Sequence, residues 1–339
     1  MRAWFLTAPG ELELREVPDP EPKADEAVVR VEAVGICGSD AECFAGKHPL
    51  PNYPRLPGHE FAGQVAAVGS AWEGAPVGTR VVVDPALSCG RCYACRQGRP
   101  NCCVEVSIAG VHRPGAMAER VICRASQLYP IPDSMSFETA AVIETLSIGA
   151  QVVRRAQVRK GDCVVVLGGG PMGLCCLLMA RQAGARVLVS EPLPWRLALA
   201  DDLGAETCVN PTLYSPAEAV RDFTDGYGAH VVVDATGEPS AAESALSLVG
   251  SAGRVVILTL SEEPIRVSPW QLVRQELTIL GSRLTLARFD DLVSLVDSGK
   301  VPLDRLATHR FKMSEAEEAF KAACERPEGL IRALVLPQA

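Results

Sequence analysis

Four cysteines fall within fifteen residues, in Cys89-Gly90-Arg91-Cys92-Tyr93-Ala94-Cys95 and at Cys103. Thiolates two residues apart converge on one tetrahedral zinc at about 2.3 Å, and four sulfurs leave no open position, so such a site is structural. Cys102 adjoins Cys103, and spacing alone leaves open which of the two joins the other three. The bland alternative is surface thiols or a redox pair. A second set lies in three separate pieces: Cys37 in GICGSD, His59 and Glu60 in LPGHEF, and Glu144 in AVIETLSIG. Taken singly they read as a small core thiol, a loop histidine and a helix-cap carboxylate. Together, one thiolate, one imidazole and one carboxylate would leave a fourth place open on zinc, the arrangement of a catalytic site. Sequence separation does not show whether they meet.

A third set is Gly168-Gly169-Gly170-Pro171-Met172-Gly173, after a Val-rich run and before a Leu- and Met-rich one. In a G-x-G-x-x-G of this context Gly168 permits the turn, Gly170 lets the backbone approach a pyrophosphate and Gly173 allows helix and strand to pack closely. The helix N-terminus opened by Pro171 and Met172 supplies amides and a positive dipole end. Glu191 closes the next strand, where a carboxylate accepts hydrogen bonds from the adenosine ribose. That choice favours NAD over NADP, although Arg196 stands nearby. Finally, Ser39 and Asp40 follow Cys37, with Glu42 and His48 a little further on. A hydroxyl at 39 would carry a substrate proton outward, and the bland reading is a polar loop.

The elements that must position these residues fall into two textures. Up to about Ile148 the chain is punctuated by Pro and Gly, with short β-rich runs at Ala27 to Val34, Phe61 to Val68 and Arg80 to Val83. From Gly161, β-runs at Cys163 to Leu167, Arg186 to Ser190, His230 to Asp234 and Arg254 to Leu258 alternate with helical stretches. That alternation specifies a parallel sheet covered by helices. The last part has helical patterns at Phe289 to Ser298 and Ser314 to Cys324, the second opened by a Ser314/Glu317 capping box, then the apolar Ile331 to Leu336.

Size and charge narrow the chemistry. At 339 residues, 48% hydrophobic and 22% charged, the chain has room for two domains. Its net charge of -8, without a Lys- or Arg-rich block, argues against nucleic acid or anionic lipid as partners. Thirteen cysteines, an odd number in a chain this long, suit metal and a reducing cytoplasm rather than disulfides. The amino-terminal MRAWFLTAPGELELREV reaches Pro9-Gly10 too soon for a secretory signal. The uncharged run from Cys163 to Ala180 touches membrane-span length, but three glycines and Pro171 divide it into strand, turn and helix.

The order of these motifs resembles the zinc-dependent medium-chain dehydrogenase/reductase superfamily, of the alcohol dehydrogenase type, over essentially the whole chain. The resemblance implies a GroES-like, mainly-β catalytic domain from residues 1–148 and 283–339 with a zinc lobe at about 89–103. It further implies a doubly wound α/β Rossmann domain at 149–282 and an active site in the cleft between the two. It assigns Cys37, His59 and Glu144 to a catalytic zinc, with Glu60 approaching the metal, and Cys89, Cys92, Cys95 and Cys103 to a structural one. It brings in NAD and a homo-dimer or homo-tetramer, built on an edge strand such as Leu277 to Leu280.

Glu144 stands where many alcohol dehydrogenases have cysteine, as in sorbitol and other polyol dehydrogenases. GRPNCC, IAGVH and IETLSIGAQVVRRA look like the branch acting on polyols and sugar acids, such as L-galactonate or L-gulonate 5-dehydrogenases. Two departures qualify the carry-over. Glu42 replaces the histidine that ends the proton relay in several relatives, which sends the relay beyond Ser39 through His48 or water. The Arg-Tyr pair of sorbitol dehydrogenases is missing near Gly281-Ser282-Arg283, where Arg283 would instead clamp a substrate carboxylate or else contact cofactor or solvent. The expected reaction is reversible oxidation of a secondary alcohol to a ketone. Threonine or simple alcohol dehydrogenation is the neighbouring alternative. A non-catalytic dinucleotide sensor is the distant one, disfavoured by the open metal set.

Overall fold

In the computed structural model residues 1–48 and 53–338 are described, and the chain divides into two units, Met1–Glu144 with Arg288–Ala339, and Thr145–Ala287. The division lies four to five residues from the boundaries expected at 148/149 and 282/283. At the first boundary one unbroken helix, Ile143–Ala156, crosses from one unit to the other, so no loop marks the change. At the second, Gln151 Oε1 of that helix accepts from Leu286 N–H at 3.2 Å and keeps the segment with the second unit.

The second unit carries six parallel strands in the spatial order Thr207–Val209, Arg186–Ser190, Cys163–Leu167, Ala229–Asp234, Val249–Ile257, Thr278–Gly281. Numbered along the chain this is 3-2-1-4-5-6, the doubly wound Rossmann order. Cys163–Leu167 is buried at every position, which is why it reads as a continuous apolar run and not as an alternation. The fifth strand starts five residues before the expected Arg254, and the sixth, expected at Leu277 to Leu280, is the sheet's edge, paired only with the fifth.

The first unit is built on a seven-stranded sheet whose spine is Glu26–Gly35, antiparallel to Glu60–Val68 and to the returning strand Ala333–Leu336. Phe61, Leu6, Met117 and Phe320 are fully buried in its core. Trp4 donates its indole N–H to Met313 O at 2.7 Å, tying the amino-terminal strand to the carboxy-terminal segment. The expected Ser314/Glu317 capping box does not form. A short 3-10 turn, Met313–Glu315, precedes the Ala316–Glu325 helix, and Glu315 turns back to accept from Lys312 N–H at 2.8 Å. Among the described residues no helix is long and apolar enough to cross a membrane.

Candidate active site and metal centres

The first unit gathers the dispersed set. Cys37 precedes the short helix Gly38–Phe44, and His59 and Glu60 lead into the Glu60–Val68 strand. One ligand-capable atom each from Cys37, His59 and Glu60 lies within 4.8 Å of the other two. Glu144, on the first turn of the Ile143–Ala156 helix, is buried but stands outside that close set. Burial pushes its carboxyl up to about 8, with the charge of His59 opposing.

Asp40, 1% exposed, faces both Cys37 and His59. Its Oδ2 accepts from Cys37 N–H at 3.4 Å and faces His59 Nδ1 at 3.5 Å. Among the described residues Nδ1 makes no hydrogen bond, so the approach of Asp40 to the ring is electrostatic. Burial works against charge on His59, yet the nearby Asp40 and Cys37 outweigh it and hold the imidazole well above its ordinary pKa. Two buried guanidiniums flank the cluster. Arg55 Nη2 lies 2.9 Å from Asp40 Oδ1, and Arg332 Nε lies 3.1 Å from Glu60 Oε2 while its Nη1 donates to Ile36 O at 2.9 Å.

Space for Glu60 is made by the strand opposite. Gly35 pairs with Glu60 in the sheet register, and a Cβ on Gly35 would sit 2.5 Å from Glu60 Oε2.

The residues fit a divalent cation by two measures. Glu60 Oε1 is buried with no hydrogen-bond partner among protein atoms, a costly state unless another electrophile faces it. The donor set is acidic as well: Asp40, Glu60 and Glu144 bring three carboxyl groups beside the Cys37 thiol, against the two guanidiniums of Arg55 and Arg332, and a cation bound there would take the place of the protons held by His59 and Glu144. The set of S, N and O donors is one that zinc accepts.

The four-cysteine loop is a second cluster of ligand-capable atoms. The Sγ atoms of Cys89, Cys92, Cys95 and Cys103 all lie within 4.8 Å of one another, compatible with the roughly 3.8 Å edge of a tetrahedral ZnS4 site. Backbone N–H groups already point at sulfur: Cys92 N–H to Cys89 Sγ at 3.4 Å, and Cys89 and Glu105 N–H to Cys103 Sγ at 3.3 Å each. Donation from the Cys95 and Val104 amides brings the Cys92 thiol down to about 6. Cys102 is not of this group; its sulfur lies 3.8 Å from Arg99 Nη2 on the Pro100–Cys102 turn. All thirteen cysteines, each among the described residues, are free thiols.

In the second unit the glycine-rich turn sits at the C-terminal end of the first strand, where the strand order reverses. Gly168 has φ +98°, and a Cβ there would lie 2.9 Å from Ala235 O. A Cβ on Gly173 would lie 1.8 Å from Gly168 O, so helix and turn touch. At Gly170 only Arg196 Nη1 comes within 4 Å, at 3.9 Å, so the chain's own packing does not require a glycine there. Pro171 and Met172 open the Pro171–Gln182 helix. Glu191 is 3% exposed and braces the loop: its Oε2 accepts from Gly169 N–H at 2.7 Å and its Oε1 from Leu193 N–H at 3.0 Å. Arg196 Nη1 lies 3.9 Å from Glu191 Oε2.

Ser39 is half-buried on the first turn of its helix and Glu42 is exposed. Arg283 is exposed, next to Leu284 at φ +46°. Arg55 and Arg332 were not singled out by motif, and the pairing role of Asp40 was not visible either. The nearest signal is Arg55 four residues before His59 in YPRLPGHEF.

Two family models match: the alcohol dehydrogenase GroES-like domain over residues 23–133 and the zinc-binding dehydrogenase over residues 171–298. The chain is 34% identical over 323 residues to the starvation-sensing protein RspB of Escherichia coli, covering 94% of each. It is 31% identical over 336 residues to the L-galactonate-5-dehydrogenase of Escherichia coli, covering 99% of this chain and 98% of that one. To the L-threonine 3-dehydrogenase of Pyrococcus horikoshii it is 35% identical over 330 residues, covering 95% and 94%. Among solved structures, an Escherichia coli alcohol dehydrogenase complexed with NADH superposes with TM-score 0.93 at 32% identity, covering 99% of both chains. A zinc-binding dehydrogenase of Sinorhizobium meliloti bound to NADP gives 0.92 at 32%, again over 99% of both.

Proposed function

Because the chain belongs to the zinc-type medium-chain dehydrogenase family, in which it is an alcohol dehydrogenase-type oxidoreductase, we propose that it reversibly oxidises a secondary alcohol of a polyol or sugar acid to the ketone, with NAD as hydride acceptor. The observation that carries this reading is the donor set of half-buried Cys37 with buried His59 and Glu60, and buried Glu144 beside it. The carboxylate at 144 and the likeness to L-galactonate-5-dehydrogenase support the polyol and sugar-acid branch.

Cys37, His59 and Glu144 would hold the catalytic zinc, which supplies Lewis acidity toward a substrate hydroxyl. Arg332 pairs with Glu60 Oε2 at 3.1 Å, which leaves Oε1 as the oxygen that would approach the metal. Asp40 orients His59 and the Cys37 backbone. Ser39 takes the hydroxyl proton and passes it toward solvent by way of His48 or water. Cys89, Cys92, Cys95 and Cys103 would hold the second, structural zinc of each chain. Gly168, Gly170, Pro171, Met172 and Gly173 would cradle the dinucleotide's pyrophosphate, and Glu191 would accept from the ribose hydroxyls, which favours NAD. Arg283 would clamp a substrate carboxylate. A homo-dimer joined along the exposed Thr278–Gly281 edge, or a tetramer of such dimers, is the assembly this reading carries, in the cytoplasm.

NAD reduction measured across polyols, aldonic acids and amino alcohols, with and without chelator, tests the proposal. Turnover of polyols or aldonic acids that chelator abolishes supports it; turnover confined to amino alcohols refutes the branch. The 35% identity to L-threonine 3-dehydrogenase supports threonine oxidation as the second reading, and the amino-alcohol arm decides it.

A further inference from the structure

Arg55 is a buried cation outside the metal-ligand set. Its side chain is 7% exposed, and its Nε is buried with no hydrogen-bond partner. The backbone fixes its position, with Arg55 N–H donating to Leu6 O at 3.0 Å and Leu6 N–H to Arg55 O at 2.8 Å. The charge is directed at a single oxygen, Asp40 Oδ1, at 2.9 Å. The other oxygen of Asp40 serves both Cys37 and His59. A buried ion pair is often replaceable by apolar side chains at no loss of stability, so packing alone gives weak grounds for an arginine here. Its placement has another consequence: with Oδ1 held, the Asp40 carboxylate cannot rotate away from the two ligands.

We propose that Arg55 is a positioning residue for the metal centre, acting through Asp40 to fix the Cys37 backbone and the His59 ring. The proposal rests on the zinc reading of Cys37 and His59. Outer-shell partners of metal ligands typically change affinity about 10- to 100-fold, and Arg55 stands one contact further out, so its effect belongs near the lower bound.

Chelator competition on purified holoenzyme, followed with a colorimetric zinc indicator, tests it. In Arg55→Met one of the two zinc ions should leave about tenfold faster while the other keeps its native rate. Arg55→Lys, which restores charge without the planar fork, should fall between, at about threefold. Asp40→Asn combined with Arg55→Met should release zinc no faster than Asp40→Asn alone, because both changes act on one contact. In cobalt-substituted protein the thiolate-to-metal absorption band should shift in Arg55→Met.

A release rate within about twofold of native in Arg55→Met would overturn the proposal. So would equal acceleration of both ions, or additive effects in the double variant. If Arg55→Met does not fold, native release rates in Arg55→Lys overturn it instead. Native protein from which Cys37→Ala removes no zinc would overturn the metal reading, and the proposal with it; unaffected Arg55 variants in a zinc-bearing enzyme defeat the positioning role alone.

Discussion

Glu191→Ala separates two contributions that a bare loss of affinity would merge. The carboxylate is buried and accepts from Gly169 N–H and Leu193 N–H, so truncation leaves two amides without their acceptor. A hydrogen bond to a charged group contributes about 1.5–3 kcal/mol, and water entering the vacated space restores part of the pair. A net loss of about 2 kcal/mol follows, read as a fall in Tm of about 5 °C. Loosening of the glycine-rich loop weakens both dinucleotides alike. Only NAD also loses the acceptor for its adenosine ribose hydroxyls, a further loss of about 1.5–3 kcal/mol, or about 10- to 150-fold. A 2'-phosphate, by contrast, is relieved of a carboxylate and keeps Arg196, whose Nη1 lies 3.9 Å from Glu191 Oε2 in the native chain. The diagnostic quantity is therefore the ratio of Kd for NADP to Kd for NAD, which should fall by at least about tenfold in titrations followed by tryptophan fluorescence or calorimetry. If the two Kd values rise by the same factor, Glu191 is a loop brace and nothing more, and the cofactor assignment fails.

Four further outcomes are expected. Elemental analysis should find two zinc ions per native chain, one in Cys103→Ser, and two in Cys102→Ser, whose sulfur lies beside Arg99 instead of the cluster. Gly35→Ala should lower kcat by at least about tenfold while leaving NAD affinity unchanged, because its Cβ would stand 2.5 Å from Glu60 Oε2 and displace that carboxylate. Burial pushes the Cys123 and Cys176 thiols up to about 12, so folded protein at pH 8 should leave both unlabelled by iodoacetamide in mass spectra. The same two thiols make folding less favourable as pH rises from about 9 toward 12, where only the unfolded chain ionises them, so Tm should decline across that window.

The strands of the second unit were legible because full burial prints itself as an uninterrupted apolar run. Cys163–Leu167 and Arg186–Ser190 coincide with their apolar runs to the residue. The glycine-rich turn was legible for a related reason: Gly168 and Gly173 answer local steric demands that no other residue meets. The metal donors were visible as types but not as a constellation. Arg55 and Arg332 were invisible, since their burial depends on partners 15 residues away at Asp40 and 272 away at Glu60, and arginine by itself reads as surface. The misplaced cap at Ser314 shows a competing local bond winning, with Glu315 reaching Lys312 N–H first.

The position of Arg332 has a bearing on how the chain is made. Every thiol, imidazole and carboxylate of the metal set has been synthesised by residue 144, yet the guanidinium that neutralises Glu60 arrives only with the strand at Ala333–Leu336. In between, the ribosome must deliver the entire 145–287 unit. The core under the site is unfinished for the same interval, because Met313, Phe320 and Val335 are buried in it, so the donors and their counter-charge are completed together.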